Sequence, residues 1–289
     1  MAEPKEIDLQ ISNGLTLSGL SWGEHNKAKV LALHGWLDNA ATYINLAPVL
    51  ANNFHVIALD SAGHGRSHHR PSGVRYHLID NVDDVIQVAD VLGWNEFNLM
   101  GHSMGAGIST YTAAAFPERV QKLVLLEGIG TQTTEPSQAA ETLHKAVTDM
   151  QRAPSIKMPL YPDIDSAVKS RTSVVGSISE RAASILCERG LIKIEGGYTW
   201  SSDPRLRMSS AIRLTEPLVE GFVKDINCPT LFVAADQGFL GHIMAVQQRL
   251  DLIKDIRQVS LPGNHHHHLE SDTFEPVADT VLRFLTGVE

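Results

Sequence analysis

The sequence predicts a doubly wound α/β fold, a mostly parallel, eight-stranded sheet with helices on both faces. Three observations carry that reading. Short apolar runs alternate with amphipathic stretches along most of the chain, and strands that alternate with helices join in parallel through crossovers. Most of the runs are continuously apolar, as strands covered on both faces are. Nearly every run also ends abruptly in glycine or in a chemically capable side chain, and in an open parallel sheet functional groups gather beyond the carboxyl ends of the strands.

The elements follow in order. Glu6 to Ser12 and Leu15 to Trp22 alternate apolar and polar residues on either side of Asn13-Gly14. Asn-Gly between two such runs predicts a hairpin, because both turn residues must accept positive φ. The sheet therefore starts with an antiparallel pair. Lys29 to Leu33 is a strand ending at His34-Gly35, and Phe54 to Leu59 one ending at Asp60. Phe97 to Met100 runs into Gly101-His102-Ser103-Met104-Gly105, and a helix-like stretch, Ala106 to Phe116, follows. Val120 to Leu126 ends at Glu127-Gly128, Thr230 to Ala235 at Asp236, and Ile256 to Leu261 at Pro262-Gly263. Between the runs, Asn81 to Leu92 places Val82, Val85, Ile86, Ala89 and Leu92 on one helical face, and a stretch from Phe274 does the same with Val277, Val281, Leu282 and Leu285. The alternation fails between about residues 130 and 213, which are rich in Ser, Thr and charge and hold Pro154, Pro159, Pro162 and Pro204. That stretch reads as a mostly helical insertion, 130–213, into a core made of 1–129 and 214–289.

The 289 residues suffice for one large domain or a core with an insertion. A hydrophobic content of 43% with 20% charged residues is ordinary globular composition rather than disorder. The formal net charge of −9 argues against a nucleic acid or an anionic membrane as partner. Two distant cysteines, Cys187 and Cys228, fit buried thiols in a reducing compartment better than a disulfide scaffold. The first ten residues hold no apolar core of a signal peptide, and no apolar run approaches the roughly 20 residues that span a bilayer. The expectation is a soluble, cytoplasmic protein, monomer or homodimer, acting on a small molecule. Gly-Lys-Ser/Thr and Gly-x-Gly-x-x-Gly are absent, so no cofactor is expected, and the glycine-rich turn from Asp60 to Ser67 reads as structural.

A strand, a sharp turn and a helix with serine at the apex describe a strained elbow that exposes the serine side chain. A Cβ at Gly101 or Gly105 would strike neighbouring backbone. Ser103 is therefore the candidate nucleophile. A serine hydroxyl needs an adjacent base, and His265, in a loop after the last strand, is the candidate; neutral imidazole suits proton transfer near pH 7. His266, His267 and His268 compete for that role. A metal tract of four histidines would need a second cluster of ligands, and none is evident, so no metal is expected. Glu127 and Asp236 are both candidates for the carboxylate that orients the base, since either keeps the order serine, acid, histidine. The oxyanion hole needs two backbone N–H groups. Met104 supplies one, and Trp36, in the loop after Lys29 to Leu33, is the candidate for the other. Trp36, Trp200, Phe239 and Leu240 are candidate walls of an apolar substrate pocket.

His34-Gly35, Asp60 with Gly63-His64-Gly65-Arg66-Ser67, Gly101-His102-Ser103-Met104-Gly105 and Gly263-Asn264-His265 together resemble the α/β-hydrolase fold family. They are spread over nearly the whole chain outside the insertion. Within that family, His34-Gly35-Trp36-Leu37-Asp38-Asn39, the segment from Trp200 through Asp203-Pro204-Arg205-Leu206, and Gly263-Asn264-His265-His266-His267-His268 are similar to the serine hydrolase-like proteins. The resemblance implies Ser103 as nucleophile, His265 as base and a lid inserted after the sixth strand. One departure stands out. In most relatives the strand that here holds Pro229-Thr230-Leu231 is followed by Gly-x-x-Asp, but Ala235 and Gly238 occupy those two slots. Some relatives carry the acid after the preceding strand, where Glu127 stands, and Glu127 is favoured over Asp236 on that ground. Dehalogenases and epoxide hydrolases of this fold use aspartate at the position of Ser103, so serine points to acyl transfer. The implied activity is a carboxylesterase acting on small, fairly apolar esters. Carbon–carbon hydrolases, lactonases and amidases share the triad and stand as alternatives, as does a non-catalytic ligand binder on the same fold.

Overall fold

Apolar side chains that point alternately to opposite faces of a strand need cover on both sides. The strand Ala28–Leu33 shows this: Leu31 and Leu33 pack into one core cluster, Val30 and Ala32 into another. All four are buried. The computed structural model describes residues 3–173, 178–239 and 244–288. In chain order, β1 (Lys5–Gln10), β2 (Thr16–Trp22), β3 (Ala28–Leu33), a short α1 (Ala47–Leu50), β4 (Phe54–Leu59), α2 (Asp80–Val91), β5 (Phe97–His102), α3 (Met104–Ala115) and β6 (Val120–Leu126) build the first part. Then come α4 (Ala139–Arg152), α5 (Ile164–Thr172), α6 (Glu180–Gly190), β7 (Leu191–Ile194) and β8 (Gly197–Trp200). The chain closes with α7 (Glu216–Lys224), β9 (Thr230–Ala235), α8 (Met244–Leu250), β10 (Ile256–Leu261) and α9 (Phe274–Thr286).

Eight strands form one sheet in the order β1-β2-β4-β3-β5-β6-β9-β10. Only the β1/β2 and β2/β4 pairs are antiparallel; the other five pairs are parallel. Residues of α2, α3, α7 and α8 cover one face, and residues of α1 and α9 the other. The doubly wound sheet expected from the sequence is therefore the architecture observed. β3 and β5 lie side by side, yet β3 connects outward to β4 and β5 connects the other way to β6. Such a reversal opens a crevice beyond the carboxyl ends of the two strands. The loop holding Trp36 and the turn holding Ser103 leave from those two ends.

Between β6 and β9 the chain leaves the sheet. Ala167, Val168, Ala182, Ala183, Leu186 and Cys187 of α5 and α6 form a small apolar cluster of their own. This region is not purely helical, because β7 and β8 pair as an antiparallel hairpin. The Glu195-Gly196-Gly197 turn allows it: both glycines have positive φ, which side chains resist there. The region is anchored to the sheet by a buried ion pair. Arg189 of α6 donates through Nε to both Asp60 oxygens, at 3.0 and 2.9 Å, and through Nη1 to Glu6. Asp60 also accepts from the backbone N–H of Ala40 and of Arg66, so the glycine-rich turn after β4 is held by its own first residue.

Candidate active site

The elbow is built by exclusion of side chains. A Cβ at Gly101 would run into the Gly105 carbonyl, and one at Gly105 into the Leu33 carbonyl at the end of β3. With both absent, the backbone closes into a turn that holds Ser103 at φ +53°, ψ −112°. A non-glycine residue in that region costs on the order of 1–3 kcal/mol. The cost is met by the neighbours: Ser103 N–H donates to the Leu126 carbonyl at 2.9 Å, and its carbonyl accepts from Gly107 N–H at 3.1 Å. Met104 opens α3, so its N–H has no partner within the helix.

β6 ends in a second strained residue. Glu127 has φ +49°, and its N–H donates to the Val233 carbonyl of β9. Its carboxylate is wholly buried and lies 3.0 Å from His265 Nδ1. Ala235 N–H and Phe239 N–H also donate to it, at 2.8 and 3.2 Å. Space for this carboxylate exists because residue 238 is glycine: a Cβ there would fall on the Glu127 carboxylate itself. Asp236 faces another way. It is exposed, and its Oδ1 accepts from Gly263 N–H at 2.9 Å, which ties the end of β9 to the loop after β10. Of the two candidate acids, Glu127 is therefore the one brought against the imidazole.

A carboxylate oxygen at this spacing accepts from an Nδ1–H, and in the neutral imidazole that tautomer leaves the lone pair on Nε2. The His265 side chain is 11% exposed. Phe239 lies beside it, ring centroids 4.7 Å apart with the planes tilted by 45°, and is 46% exposed. The three histidines that follow turn inward and are buried. His268 Nε2 pairs with Thr42 Oγ1 at 2.8 Å. Burial pushes the His267 imidazole down to about 4, and pushes His268 and His102 well below the ordinary histidine range, with the neighbouring imidazoles adding to it.

Trp36 sits at the rim, 52% exposed, with its indole N–H on the Leu206 carbonyl at 3.0 Å. Next to it Leu37 has φ +60°. Trp200 packs on the separate apolar cluster between α5 and α6, and its indole N–H donates to Tyr161 Oη at 3.2 Å. Leu240 lies outside the described residues. Asp38 was not singled out from the sequence. Its buried carboxylate meets Arg171 Nη2 at 2.8 Å and His266 Nε2 at 3.0 Å. Burial alone would raise its pKa, but those two partners hold it well below the usual carboxylate range. Asp38, His102 and His266 each place one potential ligand atom within 4.8 Å of the others. Arg171 and His266 engage the two Asp38 oxygens, and His102 Nε2 lies 2.8 Å from the His265 carbonyl.

A family model described as alpha/beta hydrolase fold matches residues 29–156. A serine hydrolase-like protein of Dictyostelium discoideum is 32% identical over 295 residues, spanning 97% of this chain and 81% of the relative. The chain belongs to the α/β-hydrolase family and is similar to its serine hydrolase-like proteins. Among solved members, a hypothetical protein from Pseudomonas aeruginosa PAO1 superposes with a TM-score of 0.92 at 38% identity, covering 99% of this chain and all of that one. The thioesterase domain from the curacin biosynthetic pathway superposes with a TM-score of 0.83 at 26% identity, covering 99% of this chain and all of that domain. Among the described residues, no helix of this α/β-hydrolase is long and apolar enough to cross a membrane.

Proposed function

We propose that this α/β-hydrolase is a serine carboxylesterase that cleaves small, fairly apolar esters through an acyl-enzyme on Ser103. The observation that carries the reading is the 3.0 Å contact between His265 Nδ1 and Glu127 Oε2. With Nδ1 turned to Glu127, Nε2 is the ring nitrogen left to serve as base for Ser103, which the strained elbow carries. Nε2 takes the Ser103 proton as Oγ attacks the ester carbonyl, and the imidazolium returns it to the departing alcohol. The backbone N–H groups of Met104 and Trp36 receive the developing oxyanion. Water, activated by the same Nε2, then releases the acid.

The half-exposed Trp36 and Phe239 supply apolar walls, and Leu240 follows directly in the chain. The insertion 130–213 acts as the lid. The similarity to a thioesterase domain, which by its name cleaves acyl–sulfur bonds, fits acyl transfer. The alternative of a non-catalytic binder rests on the acid displaced from the slot after β9; the Glu127 carboxylate, beside Gly238, speaks against it. Cys187 and Cys228 are both buried and unpaired, which fits a cytoplasmic site of action. In the test, Ser103→Ala lowers turnover of a short p-nitrophenyl ester by at least about 10³-fold. Wild-type rates in that variant would reject the mechanism.

A further inference from the structure

The loop that carries His265 is held from outside the sheet. Leu269, four residues after the base, is buried in the same apolar cluster as Ala182 and Leu186 of α6. Ser179 N–H, at the start of α6, donates to Glu270 Oε1 at 2.8 Å. His266, the next residue after the base, meets Asp38 Oδ2 at 3.0 Å, and the other oxygen of that carboxylate meets Arg171 of α5 at 2.8 Å. Asp38 also fixes the oxyanion loop, since its N–H closes the turn on the Gly35 carbonyl at 3.1 Å. A further contact clamps the base itself: His102 Nε2 lies 2.8 Å from the His265 carbonyl. A carbonyl only accepts, so His102 donates there. One buried carboxylate thus joins the inserted helix, the base loop and the loop of Trp36.

We propose that Asp38 is a positioning residue. Its carboxylate, shared between Arg171 and His266, makes the placement of His265 depend on where the inserted helix α5 sits. This rests on His265 being the base of the reaction proposed above. Movement of α5 away from the core withdraws Arg171, leaves a buried carboxylate with one partner, and loosens the His266 anchor one residue from the base. A buried ion pair is costly to break one-sidedly, so the coupling runs through a contact with two distinct states, made or broken. Reorienting a base by about an ångström lowers the chemical step on the order of 10²-fold, without changing the apolar surfaces that bind substrate.

Arg171→Leu, Arg171→Lys and, as a control on the same helix, Lys169→Leu test this. Two readouts are used on the full chain: kcat and KM for a p-nitrophenyl ester, and deuterium uptake of the segment 262–268 without substrate. Arg171→Leu is expected to lower kcat about 10- to 100-fold while KM moves less than about 3-fold. Its 262–268 segment exchanges at least about 10-fold faster than wild type. Arg171→Lys recovers part of both, and Lys169→Leu changes neither. Unchanged exchange at 262–268 in Arg171→Leu overturns the proposal, and so does a fall in kcat matched by Lys169→Leu. Deuterium uptake is read without turnover. An enzyme lacking Ser103-dependent activity would thus remove the functional reading, while the exchange result still decides whether α5 holds the base loop.

Discussion

Two neighbouring strands end in a carboxylate beside the same histidine loop, and they do different work. Glu127, after β6, is wholly buried, strained at φ +49°, and held by two backbone N–H groups against His265. Asp236, after β9, is exposed and accepts one backbone N–H from Gly263. The difference lies in what surrounds each. The longer glutamate reaches across from β6 into a gap that only a glycine at 238 leaves open. Asp236 lies two residues before that gap and braces the loop's backbone. A carboxylate's role here is set by the space its neighbours vacate, not by its closeness to the histidine in sequence.

Removing the acceptor on one side breaks the comparison most strongly. Glu127→Gln keeps the shape but no longer dictates the protonated nitrogen of His265, and kcat should fall about 10³- to 10⁴-fold. Steady-state ester hydrolysis reads this out. A fall of less than about 10-fold would mean that the base is oriented by another group.

Acid should destabilise the fold. His267 stays neutral down to about pH 4 because burial outweighs the pull of both Glu127 and Asp236. Burial likewise holds His64 down to about 3, and lowers His34, His102 and His268. In the unfolded chain each titrates near 6.5. Between about pH 6.5 and 4 the unfolded state therefore binds more protons at these histidines than the folded one, and stability falls as pH falls. Urea midpoints at pH 7.5, 6.0 and 5.0 should drop steadily, and a flat profile would contradict the buried, neutral cluster.

Gly238→Ala should destabilise by about 1–3 kcal/mol, because the new Cβ meets the Glu127 carboxylate. The sharper form is a cycle. Gly238→Asp alone adds a clash and a like charge. Combined with Glu127→Ala, it occupies the emptied space and should recover part of the activity that Glu127→Ala lost. Additivity of the two changes would mean that the positions do not share the site. The smallest effect belongs to Asp236→Asn. It keeps an acceptor for Gly263 N–H and should leave kcat within about 3-fold.

The elbow was legible in the sequence because its cause is local: two glycines, a strand before and a helix after lie within adjacent residues. The sheet was legible for the same reason, from the apolar runs that end in glycine or in a polar side chain. The choice between acids was harder, because Glu127 and His265 meet across 138 positions. The signal was Gly238 in the slot where relatives carry aspartate, a vacancy rather than a residue. The β7/β8 hairpin was missed, although Gly196-Gly197 between short alternating runs is a turn signal. Asp38 gave no sign, since its partners Arg171 and His266 come from distant elements and only packing brings them together.

The most direct test is mass spectrometry of the protein after a short exposure to a fluorophosphonate, with the adduct mapped to a peptide. One phosphonyl group on Ser103 is expected, lost in Ser103→Ala, formed far more slowly in Glu127→Ala and at nearly the wild-type rate in Asp236→Ala. Labelling that survives in Ser103→Ala, or a wild-type protein that takes up no phosphonyl group, would contradict the account.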